Sequence, residues 1–254
     1  MCTLALYFRI FERYPLLLAA NRDEHYDRPT APPALWDGNL KIIAGRDLRA
    51  GGTWLGFNEF GLVAAILNRR IDGSPLAPRT ARSRGLLCAE ILRAETPAEA
   101  ARVIKEDGAR YNPFTLVFAD KDAAYVAYND EAKIHLEPLQ PGLHVFSSAA
   151  EFDLHCAKAK RAHAGFAQLQ GPLNRQAEQP SEWLAPLQTI LSDHSLADGS
   201  DNPGDAICVH RESSGTVSSS VIFLAQPEER FVSFHCSGPP CQNDFGAALN
   251  LAVR

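Results

Sequence analysis

No apolar stretch in this chain approaches the ~20 residues that a membrane-spanning helix requires. The most apolar early segment, Leu16 to Ala20, ends in small residues as a secretory leader does. However, Arg9, Glu12 and Arg13 interrupt the run and no basic residue precedes Thr3, so the start does not read as a signal peptide. Excess positive charge is absent too. With 25 basic and 30 acidic residues well mixed and a net charge of −5, the chain has no basic stripe for nucleic acid. No compact CxxC pair or disulfide framework links the six cysteines, which fit free thiols in a reducing compartment and point to a cytoplasmic protein. The eight histidines show no i, i+4 pair of the zinc-helix kind, so no metal site is expected. No glycine loop for phosphate and no glycine-flanked serine elbow occurs around Ser218-Ser219-Ser220. Neither a Pro/Gly-rich linker nor an internal repeat divides the 254 residues, 46% of them hydrophobic. One domain over 1–254 with a sizeable core is the expectation.

What is present begins at residue 2. Cys2 follows the initiator methionine and opens the apolar segment Thr3 to Phe8. Removal of Met1 would leave one residue holding a thiol and a free α-amine. An amine at a chain start has a pKa of roughly 7.7–8.0 and can take the thiol proton itself. Pro15 and the polar residues before it mark a turn, and Leu16 to Ala20 reads as a buried strand. Two strands joined so closely pair as an antiparallel hairpin. That pairing carries Asn21-Arg22-Asp23-Glu24 next to Cys2, where a guanidinium and a carboxylate can tune the thiol. Side chains alternate faces along a strand. If the strand continues this far, Arg22 points away from Asn21 and Asp23 and pairs with Glu24 or Asp27. If the chain turns at Asn21, Arg22 can instead bind an anionic ligand.

The remaining pattern alternates strands and helices. Strands are expected at Thr53 to Phe57, Leu62 to Leu67, Phe114 to Ala119, Ala123 to Tyr128, Lys133 to Leu136, His144 to Phe146, Ala206 to Val209, Ser218 to Leu224 and Arg230 to His235. Helices are expected at Ser83 to Ala94, from Thr96 to about Gly108, at Phe152 to Leu169 and at Ser181 to Leu191. In Thr96-Pro97-Ala98-Glu99 an N-cap, a proline at the first helical position and a glutamate that caps back stand together. Leu196 to Gly204 is the most loop-like piece. Strands, helices, strands, helices, strands imply two sheets with helices outside, a four-layer αββα sandwich of the α+β class. Basic residues gather at Asn68-Arg69-Arg70 and between Arg79 and Arg84, as a solvated loop or as a patch that receives an anionic group. His210 precedes the polar run Arg211 to Gly215, and serves structure or borders a pocket.

Ala19-Ala20-Asn21-Arg22-Asp23-Glu24 resembles the signature of the NRDE proteins, the transport-and-Golgi-organisation-2 family. Gly51-Gly52-Thr53-Trp54-Leu55-Gly56-Phe57-Asn58 and Gly61-Leu62-Val63-Ala64-Ala65-Ile66-Leu67-Asn68 resemble it as well. More weakly, Ile207 to His210, Gly215 to Ser220 and Gly238 to Cys241 are similar to the C-terminal part of acyl-coenzyme A:6-aminopenicillanic acid acyltransferases. Those enzymes, the choloylglycine hydrolases and the acid ceramidases are cysteine N-terminal-nucleophile amidases. The resemblance implies their fold and chemistry at C–N bonds. It matches Cys2 to the nucleophile, Asp23 to the aspartate that holds the α-amine, and Asn68 to the oxyanion-hole asparagine. Asn21, Arg22, Ser148 and His210 are the candidate substrate-binding residues. The sequence departs from the hydrolases at Ala20, at Ser147-Ser148 and at Val217. An arginine would stand at Ala20 in the hydrolases and at Val217 in some of the relatives.

Two functions follow from this. One is an amidohydrolase or acyltransferase for a small acylated substrate, needing no cofactor. The other is a non-catalytic protein on the same fold that binds or traffics haem or a lipid. Haem would be non-covalent, since no CxxCH exists, and Cys2, His25 and His210 are its candidate axial ligands.

Overall fold

A computed structural model describes residues 2–69, 82–129, 133–148, 156–176, 179–196 and 200–254. It divides into two compact units: Met1–Asp27 with Pro141–Asn250, and Arg28–Gln140 with Leu251–Arg254.

The first unit is built on a six-stranded antiparallel sheet. Its strands are β1 (Thr3–Phe8), β2 (Leu16–His25), β10 (Gly142–Ser147), β11 (Ser214–Ala225), β12 (Arg230–Cys236) and β13 (Leu249–Ala252), in the order β10-β1-β2-β11-β12-β13. The expected hairpin forms, with Thr3 opposite Asn21 and Phe8 opposite Leu16. Its second strand does not stop at Ala20, however. β2 runs on to His25 because β11 pairs with it along its whole length, from Leu224 opposite Leu16 to Ser214 opposite His25. Asn21 to Glu24 are therefore strand residues and not a turn. Between Thr216 and Ser218 the register slips by one, so Val217 is the extra residue of a β-bulge facing Arg22 and Asp23.

Residues opposite one another in a ladder share a face. Ala5, Tyr7, Leu17, Ala19, Val221 and Phe223 together form one apolar face of this sheet. It packs on Ala159, Ala162 and Phe166 of α3 (Ala157–Gln176) and on Leu187 and Leu191 of α4 (Leu184–Leu191). Trp183, in the short 3₁₀ turn before α4, stands edge-on to Phe11, Tyr14 and Phe223 at 4.8, 5.2 and 5.8 Å between centroids, which locks the helix turn onto the sheet. Ala206 to Val209, expected as a strand, is irregular. Its backbone is held instead by Thr216, whose N–H donates to the Val209 carbonyl and whose hydroxyl accepts from the Val209 N–H.

The second unit carries a seven-stranded sheet in sequential order. Its strands are β3 (Thr30–Leu35), β4 (Ile42–Asp47), β5 (Leu55–Asn58), β6 (Val63–Asn68), β7 (Phe114–Ala119), β8 (Ala124–Asn129) and β9 (Ile134–Pro138). Helices α1 (Arg84–Ile91) and α2 (Pro97–Asp107) bury Leu87, Cys88, Ile91, Ala100 and Ile104 against Ala64, Ile66, Leu116 and Phe118 of that sheet. The cap read at Thr96 is present, its hydroxyl accepting from the Glu99 N–H at 3.2 Å. Gly52 is required by close approach, since a Cβ there would overlap the Gly85 backbone at the start of α1. Asn58 closes the turn after β5. Its amide donates to the Leu92 and Ala94 carbonyls at the end of α1, and its oxygen accepts from Phe60 and Leu62. Much of the glycine- and asparagine-rich 51–61 motif thus serves packing. Among the described residues no helix is long and apolar enough to cross a membrane.

Candidate active site

Cys2 lies one residue ahead of β1 and is buried. Its thiol lies against the backbone of Asp23. The Asp23 N–H donates to Sγ at 3.3 Å, and Sγ reaches the Asp23 carbonyl at 3.6 Å. The geometry follows from the hairpin, because Thr3 opposite Asn21 leaves the chain start alongside the next residues of β2. The Ser148 N–H donates to the Cys2 carbonyl at 3.3 Å, so the end of β10 flanks the other side. The Ser148 hydroxyl is buried and has no partner among the described residues, which leaves it available to a ligand.

The Asp23 carboxylate is engaged at both oxygens. Oδ1 accepts from the Thr216 hydroxyl at 2.6 Å, and Oδ2 lies 3.4 Å from the Lys158 ammonium. Both members of that ion pair are buried, with side-chain exposures of 2% for Lys158 and 5% for Asp23. Burial pushes the Cys2 thiol above its ordinary range. The Asp23 charge adds to the rise, while the Asp23 N–H and Lys158 oppose it. Lys158 is a neighbour of this site that no sequence pattern singles out. It sits in the first turn of α3, where the helix dipole disfavours a cation, and the Asp23 carboxylate opposes that penalty. Cys156 starts the same helix as an N-cap, its Sγ accepting from the Ala159 N–H at 3.3 Å.

Asn21 is not free for a substrate. Its amide donates to the Leu191 and Ile207 carbonyls at 2.8 and 3.0 Å, and its oxygen accepts from the Ser219 hydroxyl. It clamps the end of α4 and the 207 segment to the sheet, as Asn58 clamps α1 in the second unit. Arg22 is buried in the strand and pairs with Glu24 at 3.6 Å. The strand geometry puts it on the face opposite Asn21 and Asp23. Asn68 belongs to the second unit, at the end of β6 opposite Phe114, with its side chain exposed. Of the basic patch, 70–81 lie outside the described residues, as does Met1. His25 ends β2 in solvent.

His210 lies in the first unit, in a group that the sequence pattern does not reveal: His194, Cys208, His210 and Cys241. Their ligating atoms all lie within 4.8 Å of one another. Cys236, the neighbour of Cys241 in sequence, turns away and donates to the Gly238 and Asn243 carbonyls.

The fold is that of the N-terminal-nucleophile hydrolases. Penicillin V acylase from Agrobacterium tumefaciens superposes with a TM-score of 0.52 at 17% identity, covering 91% of this chain and 82% of that one. The Caenorhabditis elegans ortholog of N-acylethanolamine-hydrolyzing acid amidase gives 0.55 at 13% identity, covering 89% and 94%. At such identities the likeness establishes the fold and no more. The chain belongs to the Transport and Golgi organisation 2 family, whose model matches residues 1–234. The Transport and Golgi organization protein 2 homolog of Bos taurus is 34% identical over 144 residues, 54% of this chain and 51% of that protein. The Drosophila melanogaster protein is 36% identical over 115 residues, 41% and 39%. The chain thus matches about half the length of the first and less of the second.

Proposed function

We propose that the protein is an N-terminal-cysteine amidohydrolase or acyltransferase, with Cys2 as nucleophile once Met1 has been removed. The observation that carries this reading is the Cys2–Asp23 contact. The thiol is gripped by the Asp23 backbone, and the Asp23 carboxylate is fixed inside the protein by Thr216 and Lys158. With Met1 attached, Cys2 has no free amine and its thiol is held protonated. Removal of Met1 supplies a base on the same residue and a cation beside Asp23.

In the reaction, the Cys2 α-amine takes the thiol proton and Sγ bonds to the carbonyl carbon of an amide. Backbone N–H groups hold the oxyanion, an effect worth roughly 2.7–4 kcal/mol per donor in other enzymes. As the C–N bond breaks, the leaving amine takes the proton from the α-ammonium and a thioester remains. Water, or an acceptor amine in a transferase, then gives a proton to the α-amine, attacks the thioester and releases the thiol. Ser148 is the polar contact for the acyl group. The chemistry of the solved neighbours, an acylase and an amidase by name, supports an acylated amine as substrate class.

The test combines intact mass with turnover of a panel of N-acyl compounds. Expected are loss of Met1, an acyl-enzyme of one acyl mass on Cys2, and no turnover by Cys2→Ala. Retention of Met1 in all molecules, or turnover untouched by Cys2→Ala, overturns the proposal. The non-catalytic reading, binding of haem or a lipid, rests on the accessible imidazoles of His25 and His210. It predicts a haem absorption shift abolished by their substitution and indifferent to Met1.

A further inference from the structure

We infer that His194, Cys208, His210 and Cys241 form a structural binding site for a tetrahedral d¹⁰ cation, Zn²⁺, that does not use Cys2 as a ligand. The four ligands come from three connections of the first unit. His194 follows α4, Cys208 and His210 lie in the segment before β11, and Cys241 lies in the turn after β12.

The spacing is the main argument. The two sulfurs are 3.7 Å apart, far beyond the ~2.05 Å of a disulfide. The His210 Nε2 is 3.8 Å from the Cys208 sulfur and 3.3 Å from the Cys241 sulfur. A tetrahedral zinc with bonds of about 2.3 Å to sulfur and 2.05 Å to nitrogen separates its sulfurs by about 3.8 Å and a sulfur from a nitrogen by about 3.6 Å. Three edges of the tetrahedron therefore match those of a filled site within a few tenths of an ångström, and those to His194 lie within 4.8 Å.

A second observation concerns the tautomer. His194 Nδ1 lies 3.0 Å from the Cys208 carbonyl oxygen, which can only accept. Nδ1 therefore carries the proton, and Nε2 keeps its lone pair for a metal. Metal-binding histidines are commonly oriented in this way by a carbonyl on the other ring nitrogen. The His194 and His210 rings lie 5.0 Å apart.

The supporting backbone is fixed as well. The Cys208 N–H donates to the Asp193 carbonyl at 2.9 Å, which ties the Cys208 segment to the residue before His194. Gln188 of α4 donates to the Pro240 and Asn243 carbonyls at 2.8 and 3.1 Å, which holds the turn bearing Cys241. Two thiolates and two neutral imidazoles suit Zn²⁺ among the common divalent ions. Loading releases one proton from each cysteine and leaves a complex with no net charge. With four protein ligands no position remains for water, so the role is to staple three connections and not to catalyse.

The test uses the full chain, reduced and freed of metal with a chelator, then titrated with Co²⁺ and Zn²⁺. One equivalent of Co²⁺ should give a thiolate-to-cobalt charge-transfer band with the visible bands of a tetrahedral site, and one equivalent of Zn²⁺ should bleach them. Cys241→Ser and His194→Gln, at accessible positions, should keep the far-ultraviolet dichroism of the parent. Each should weaken zinc binding by more than about a hundredfold, beyond the 10–100-fold typical for an outer-shell partner. Cys2→Ser should leave the cobalt spectrum unchanged, which separates this site from the proposed nucleophile. The inference is overturned if the reduced chain gives no charge-transfer band, or if the band survives Cys241→Ser. A Cys208–Cys241 disulfide whose reduction still yields no cobalt site also overturns it.

Discussion

Replacing Lys158 by methionine should destabilise the first unit by about 3–5 kcal/mol, the usual cost of leaving one charge of a buried pair without its partner. Methionine keeps most of the lysine stem's volume, so the change tests charge more than packing. At 3.4 Å the Coulomb attraction is about 5 kcal/mol with an effective dielectric constant near 20. Desolvating two ions costs several kcal/mol each, so the intact pair adds little net stability. The single variant is different: the Thr216 bond survives, but the Asp23 carboxylate keeps its burial and loses the Lys158 ammonium. The double variant Lys158→Met with Asp23→Asn removes both charges and should recover more than half of the loss. Urea unfolding followed through Trp183, buried in this unit's core, is the assay. With a slope of about 2 kcal/mol per molar, the midpoint of the single variant should fall by about 2 M. A loss below about 1 kcal/mol, or a double variant no more stable than Lys158→Met, would refute the picture of a charged, dry pair beneath Cys2.

Three further outcomes are expected. In protein that retains Met1, iodoacetamide labelling of Cys2 against pH should give a midpoint above 9.0, and Asp23→Asn should lower it by removing the neighbouring charge; a midpoint below that value contradicts the burial argument. Asn21→Ala leaves two carbonyls and the Ser219 hydroxyl short of partners and should cost at least about 3 kcal/mol, from roughly 1–3 kcal/mol per buried unpaired group; a change under 1 kcal/mol would show that the clamp is not needed. Burial holds His235 down from 6.5 to about 4, so the unfolded chain binds the proton first and stability falls as pH drops below about 6.5. The loss should reach about 2 kcal/mol by pH 5 and flatten once the folded state also protonates. His235→Gln should remove that slope, and an unchanged pH profile would argue that His235 is solvated.

Where sequence and structure agree, a local rule dominates. Phe114 to Ala119 is a buried strand end to end, and Thr96 to Asp107 carries its own cap and proline. Where they differ, distant partners decide. β3 contains Pro32 and Pro33, which argue against a strand by themselves. It is tolerated because it is the edge of its sheet and its register slips between Ala31 and Ala34. β2 outruns its apolar stretch because β11, some two hundred residues later, supplies the ladder. Lys158 has no local signature, since one lysine in a polar helix reads as solvent-facing until the fold brings Asp23 beneath it. The His194, Cys208, His210 and Cys241 group is equally unreadable. Its ligands are scattered over three connections, with none of the short spacings that mark a zinc helix or knuckle.

The polar run at the end of β2 shows how far a motif can be divided by the alternation of a strand. Asn21 and Asp23 point to one face, where Asn21 clamps α4 and Asp23 meets Thr216 and Lys158. Ala20, Arg22 and Glu24 take the other. Extending the Thr3–Asn21 register by one residue puts Cys2 opposite Arg22, and hence on Arg22's side of the ladder. The thiol meets Asp23 through the peptide backbone at the strand's rim and not through the carboxylate. The arginine of the hydrolase pattern would occupy Ala20, one step of two residues, about 6.6 Å, back along that same face. The cation on the Cys2 side of this strand is Arg22, paired with Glu24 at 3.6 Å. A guanidinium in that position neutralises a carboxylate before it meets any substrate. Under the proposed function the thiol is therefore activated through the Cys2 α-amine and the Asp23–Lys158 pair, and exposure of that amine is the step the proposal turns on.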